Sequence, residues 1–187
     1  QKPTIIAHSF GAGAALTAVN QSPDAYSGVV VCDLMIMRPE RLEQYWNLRR
    51  ASPGSGNPDK PKNRYPSYEA ARDRYILSPP QPVGEPFLLD YIAYHSLRRD
   101  GNEWTWKFST EVFRTSNKSD EWLTMGERLV TAPGRKAIVH GGNSQLFNRD
   151  SAEYVHELGG GDIPRIAVPQ ARHHLMLDQP LAFVTAL

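Results

Sequence analysis

The sequence predicts an α/β fold: a parallel sheet interrupted by an inserted, mainly helical segment. Three observations carry this. Residues 1–37 alternate strand and helix signals, residues 126–187 resume that texture, and residues 38–125 between them are aromatic, proline-rich and broken into short helices. Strand–helix alternation implies parallel strands covered by helices on both faces. An insertion in such a sheet lies above the carboxyl ends of the strands, where ligands bind.

Thr4-Ile5-Ile6-Ala7 reads as a short buried strand, and Gly11 to about Asn20 as an alanine-rich helix. Gly28 to Asp33 is a continuous β-branched run, the pattern of a strand covered on both faces. In the insertion, Arg41–Arg50 is helical and Ser67 is placed to cap a helix running to about Ile76. Pro79, Pro80, Pro82 and Pro86 forbid regular structure before a helix over Phe87–Arg98, and Trp104, Trp106 and Phe108 alternate with polar residues as in an extended segment. Lys136–His140 is the next strand, Ser151–Leu158 a helix, Arg165–Val168 the last strand, and Pro180–Leu187 opens a further helix.

Composition narrows the function. A net charge of +1 leaves no electrostatic footprint for nucleic acid or an anionic membrane. No apolar run reaches the length of a membrane span. The single cysteine, Cys32, excludes an intramolecular disulfide, fits a reducing compartment and lies in an apolar run as a core residue. The expected location is therefore cytoplasmic, although the absence of an initial methionine leaves a leader open. No Cys/His cluster has zinc-ligand spacing, and the adjacent His173-His174 pair cannot supply a site alone, so neither metal nor cofactor is expected.

Two motifs carry chemistry. Ala7-His8-Ser9-Phe10-Gly11 follows a strand and opens a helix, the setting of a nucleophile elbow. A serine on that strained turn needs small flanking residues, and Ala7 and Gly11 supply them. The backbone N–H of Phe10, at the helix N-terminus, would form half of an oxyanion hole. After the last strand comes Ala171-Arg172-His173-His174-Leu175-Met176-Leu177-Asp178-Gln179-Pro180. A serine hydroxyl needs a histidine to take its proton. Histidine, four residues, an acid, one residue and proline resembles the catalytic loop of α/β-hydrolases. That register assigns the base to His173, leaves His174 as a packed or capping neighbour, and makes Asp178 a cap of the last helix.

The resemblance implies a third member, an acid that holds the histidine tautomer. Most of the family carries it after the penultimate strand as G-x-x-D, but here that stretch is Gly141-Gly142-Asn143-Ser144, and serine cannot carry the charge. Some members, haloalkane dehalogenases among them, place the acid after the strand that follows the elbow helix, where this chain has Asp33. Asp33 is therefore assigned, with Asp150 as the fallback and otherwise a helix cap.

The resemblance further implies that this chain is a partial α/β-hydrolase fold, strands five to eight of the usual eight, with 38–125 as the cap. The second oxyanion donor would lie in the absent half. The chain alone is expected to be catalytically weak and aggregation-prone through an exposed apolar edge at Thr4–Ala7. The implied function is serine hydrolysis of an ester or related, apolar acyl substrate by Ser9, His173 and Asp33. His8, Trp46, Trp104 and Trp106 are candidate pocket residues; packing within the core or the cap is the plainer reading of each. A carbon–carbon bond hydrolase or cofactor-free perhydrolase would use the same triad. A non-catalytic binding module of this fold is the alternative from another class. Dehalogenase and epoxide hydrolase chemistry is disfavoured, because it needs a carboxylate where Ser9 stands. Oligomeric state is not legible.

Overall fold

The computed structural model describes residues 1–51, 62–109 and 119–187, and it has two compact units, 1–46 with 119–187, and 47–118. The stretches 52–61 and 110–118 of the predicted insertion lie outside the described residues. The second unit begins later and ends earlier than the insertion predicted at 38–125, because Leu42, Tyr45, Trp46 and Trp122 pack into a cluster of the first unit.

The first unit is built on a four-stranded parallel sheet in the order β1 (Thr4–His8), β2 (Gly28–Cys32), β6 (Arg135–Gly141), β7 (Arg165–Val168). In β2 the alternation of side chains decides both faces. Val29 and Val31 enter one core with Ala12, Leu16 and Val19 of helix α1 (Phe10–Gln21) and with Leu129 of α6 (Met125–Thr131). Val30 and Cys32 face the other, with Val139, Val168, Leu175 and Phe183. A β-branched run lacking polar residues is what a strand covered on both sides requires. β1 is an edge of this sheet, and Ile6 on it is 52% exposed.

Some local expectations change. A Cβ at Gly11 would meet no atom within 4 Å, so packing among the described residues does not require glycine there. Gly13 approaches the Met125 side chain of α6, with 3.4 Å from a built Cβ to Met125 Cε, so it serves helix–helix contact. The clearest demand for glycine is at Gly141, where a Cβ would lie 2.4 Å from the Arg172 carbonyl oxygen and 2.5 Å from that of Ala171. That absence of a side chain lets the loop after β7 close over the end of β6.

The remaining elements of the first unit are the first part of α2 (Pro39–Ala51), then α5 (Ser119–Leu123), α7 (Arg149–Val155) with a wider helical turn over His156–Gly160, α8 (Leu175–Asp178) and α9 (Pro180–Thr185). Asn148, not Asp150, caps α7: its side-chain oxygen accepts from the Ser151 N–H. Asp150 is instead paired with Arg38 and Arg41. Asp178 does not cap α9 either; its carboxylate accepts from the Arg172 N–H at 2.7 Å and so braces the loop that carries His173.

The second unit contains a three-stranded antiparallel sheet in the order β3 (Arg64–Tyr65), β5 (Glu103–Trp106), β4 (Leu97–Asp100), with helices α3 (Tyr68–Arg72) and α4 (Pro86–Ser96). Ser67 caps α3, accepting from the Ala70 N–H. The helix expected to reach Ile76 stops at Arg72, where the Tyr75 N–H turns back to the Arg72 carbonyl. The helix expected to reach Arg98 stops at Ser96, because Leu97–Asp100 pairs with β5. Among the described residues no helix is long and apolar enough to cross a membrane.

Candidate active site

Ser9, Asp33, Ser144 and His173 follow the carboxyl ends of β1, β2, β6 and β7, and backbone hydrogen bonds lock each loop to the next strand. The Ser9 N–H donates to the Cys32 carbonyl (2.9 Å), the Asp33 N–H to that of Val139 (2.8 Å) and the Gly142 N–H to that of Val168 (2.8 Å). These bonds carry the ladder beyond the strand ends, so the loops inherit the rigidity of the sheet.

Ser9 sits between β1 and α1 with φ 52° and ψ −124°. A non-glycine residue there is strained by about 1–3 kcal/mol, and the pairing on both sides holds it. Phe10 is the first residue of α1, so its N–H belongs to the helix's first turn, whose amides lack intrahelical acceptors.

Asp33 follows β2, also with positive φ (47°), and is fully buried. Its carboxylate is completely engaged. Oδ2 accepts from the Gly141 N–H (2.8 Å), and Oδ1 accepts from the Ser144 hydroxyl (2.6 Å) and from His173 Nδ1 (2.9 Å). An ionised carboxylate only accepts, so Nδ1 of His173 carries the proton and Nε2 has the lone pair. Among the described residues that Nε2 is buried and makes no hydrogen bond, so none joins it to Ser9 Oγ.

Ser144, which looked in the sequence like a vacated acid position, is part of this site. Its hydroxyl donates to Asp33 and accepts from the N–H groups of Leu146 (3.1 Å) and Phe147 (3.3 Å). The side chain at 144 thus hydrogen-bonds the Asp33 carboxylate directly. Asp150 takes no part in these contacts. Burial alone would raise its carboxyl, but hydrogen bonds from Arg41 and Arg38 outweigh it and hold it below the ordinary value.

His8 ends β1, and its Nε2 donates to the His173 carbonyl at 2.8 Å, which ties the elbow strand to the histidine loop. Burial above all, with His173 and His174 adding to it, pushes the imidazole down to about 4, against the opposing bond to the His173 carbonyl. The unfolded chain would bind a proton at His8 near 6.5, so stability is full above that pH and falls as pH drops towards about 4. His8→Gln should flatten this slope in urea denaturation, and the His8 ring resonances should titrate near 4. A midpoint near 6.5 would contradict the assignment.

The fold brings together histidines that sequence spacing does not group. His8 joins the adjacent pair, and one ring nitrogen from each of His8, His173 and His174 lies within 4.8 Å of the others. The two partners are 165 and 166 residues away in sequence, so spacing could not reveal them. His174 is the residue preceding α8 and makes no side-chain capping bond.

An aromatic chain runs from the elbow. The Phe10 ring lies 6.3 Å from Trp122, Trp122 6.4 Å from Trp46, and Trp46 5.3 Å from Tyr45. Trp122 was not singled out in the sequence, where it stands in a polar stretch. Trp104 and Trp106, by contrast, pack with Tyr65, Tyr68 and Tyr75 in the core of the second unit. Cys32 is fully buried; burial first, then the Asp33 charge, pushes its thiol up to about 11, which leaves it an inert core residue at neutral pH.

Residues 1–187 match the model of the family described as the alpha/beta hydrolase family. Among solved structures the chain is similar to a novel esterase from Mycobacterium tuberculosis, at 19% identity and a TM-score of 0.70, covering 98% of this chain and 58% of that one. It is similar to E-2-(acetamidomethylene)succinate hydrolase, at 18% and 0.71, covering 99% and 65%. A peroxisomal α/β-hydrolase from Saccharomyces cerevisiae gives 12% and 0.68, covering 99% and 51%. Likeness at these identities is likeness of fold, and the chain spans between 51% and 65% of the length of these structures. No curated protein matches it.

Proposed function

The chain belongs to the alpha/beta hydrolase family, and from that premise we propose that it provides the nucleophile, base and acid of a serine hydrolase acting on an ester or related acyl substrate. The observation that carries the proposal is the buried 2.9 Å pair between Asp33 and His173 Nδ1, which leaves Nε2 as the base.

Ser9 Oγ attacks the acyl carbon while His173 Nε2 takes its proton. The oxyanion that forms accepts from the Phe10 N–H, a donor fixed before the charge develops. His173 then returns the proton to the leaving oxygen as its bond to the acyl carbon breaks. Water, deprotonated by the same nitrogen, releases the acid and restores Ser9. Asp33 remains ionised throughout and stabilises the imidazolium. The Ser9–His173 bond closes in the substrate complex, since such bonds are often long or misaligned in ligand-free sites. His8 acts as a positioning residue through the His173 carbonyl. Phe10, Trp122 and Trp46 favour an apolar acyl group, because each presents a large apolar ring.

The test is turnover of p-nitrophenyl esters of graded acyl length. Hydrolysis that improves from acetate to longer chains and disappears in Ser9→Ala is expected. Equal hydrolysis by Ser9→Ala would contradict the proposal.

A further inference from the structure

Three histidines meet at the strand ends. Ring centroids of His8 and His173 are 4.7 Å apart, those of His8 and His174 5.7 Å, and those of His173 and His174 4.8 Å. Neighbours in sequence rarely converge on one ion by themselves; here a third ring arrives from β1.

His8 and His173 have outer hydrogen bonds of the kind that orient a ligating imidazole. A metal-binding histidine almost always donates its other N–H to a carboxylate or a backbone carbonyl. His173 donates Nδ1–H to the Asp33 carboxylate, and His8 donates Nε2–H to the His173 carbonyl. A carbonyl can only accept, so the His8 tautomer is set and its lone pair is on Nδ1. His173 presents its lone pair at Nε2, which is buried and makes no hydrogen bond among the described residues. Behind this pair the Asp33 carboxylate supplies negative charge.

We propose that His8, His173 and His174 form a reversible binding site for a zinc-class transition-metal ion, and that the bound ion switches off the serine site. Imidazole suits Zn²⁺, Cu²⁺ and Ni²⁺ and not Mg²⁺ or Ca²⁺. Zinc–nitrogen bonds of about 2.0–2.1 Å put tetrahedral ligands about 3.4 Å apart; one nitrogen of each ring lies within 4.8 Å of the others, so coordination draws the three rings closer together. His8 and His174 are only partly buried, which gives the ion a way in. The step is coordination alone, with no change of oxidation state. It occupies the Nε2 lone pair that must receive the Ser9 proton. This last consequence rests on the reading of His173 as the base; the binding itself does not.

Calorimetric titration of untagged, metal-free protein with Zn²⁺ reads the binding without any substrate. One ion per chain is expected for the wild type, weakened about tenfold or more in His174→Ala, and no uptake of Mg²⁺. In p-nitrophenyl ester turnover, Zn²⁺ should inhibit and EDTA should reverse it, while His174→Ala should keep its zinc-free rate and resist the ion. Absence of stoichiometric uptake by folded wild type would overturn the proposal, as would affinity unchanged in both His174→Ala and His8→Gln. Uptake that depends on these histidines in a protein whose ester turnover survives Ser9→Ala would support the metal site while counting against the hydrolase reading.

Discussion

Asp33→Asn is expected to lower turnover by about four orders of magnitude and to leave the fold standing. The carboxylate receives three donors, from Gly141, Ser144 and His173, and is fully buried, so no solvent can replace what it loses. Asparagine keeps the shape but offers one acceptor and one NH₂. If the NH₂ faces His173, that ring must present its other tautomer, and Nε2 then carries a proton and cannot serve as a base. If the carbonyl faces His173, the tautomer survives but the imidazolium has no counter-charge. Mispairing of the amide costs about 1–3 kcal/mol, a shift in melting temperature rather than unfolding.

Ser144 makes the same prediction sharper. Its hydroxyl is 2.6 Å from Asp33 Oδ1, the oxygen that also receives His173 Nδ1. Ser144→Asp in the Asp33→Asn background should therefore return part of the lost activity, with the acid supplied from the loop after β6. The check is kcat/KM against pH for the single and double variants. Full activity of Asp33→Asn would remove it from the mechanism; a single variant that cannot be rescued would limit the acid to position 33.

Much of this arrangement was legible in the sequence because the relevant signals are local. A strand, a serine between small residues and an alanine-rich helix occupy a single stretch, and β1 and α1 adjoin Ser9 as that stretch implied. The spacing from His173 to Asp178 and Pro180 is local too, although Asp178 proves to brace the Arg172 N–H rather than to cap the final helix. Cys32 among valines read as core, and it is buried in one cluster with Val139 and Val168.

What escaped reading depends on residues distant in sequence. Ser144 looked like a loss, since serine cannot hold a charge, yet its value lies in a hydrogen bond to a residue 111 positions away. His8 had no partner within its own stretch; its bond to the His173 carbonyl exists only because the loops after β1 and β7 meet. Gly141 carried a signal that the sequence could not interpret, for the carbonyls that exclude a side chain there belong to residues 171 and 172. Asp150 next to Ser151 looked like a helix cap, but two arginines, Arg38 and Arg41, claim it. The tryptophans of the insertion divide for the same reason: Trp46 packs with Trp122 in the first unit, while Trp104 and Trp106 fill the core of the second.

The central claim, that His173 activates Ser9 as a nucleophile, is tested most directly by a fluorophosphonate probe. The probe phosphonylates a serine only when a neighbouring base removes its proton, so it reports activation without requiring the natural substrate. The protein should carry one adduct, located by peptide mass on Ser9. His173→Ala should slow its formation by about three orders of magnitude or more, with the fold unchanged by circular dichroism. Labelling of Ser9 at the same rate in His173→Ala, or no adduct on Ser9 in the folded protein, would contradict the account.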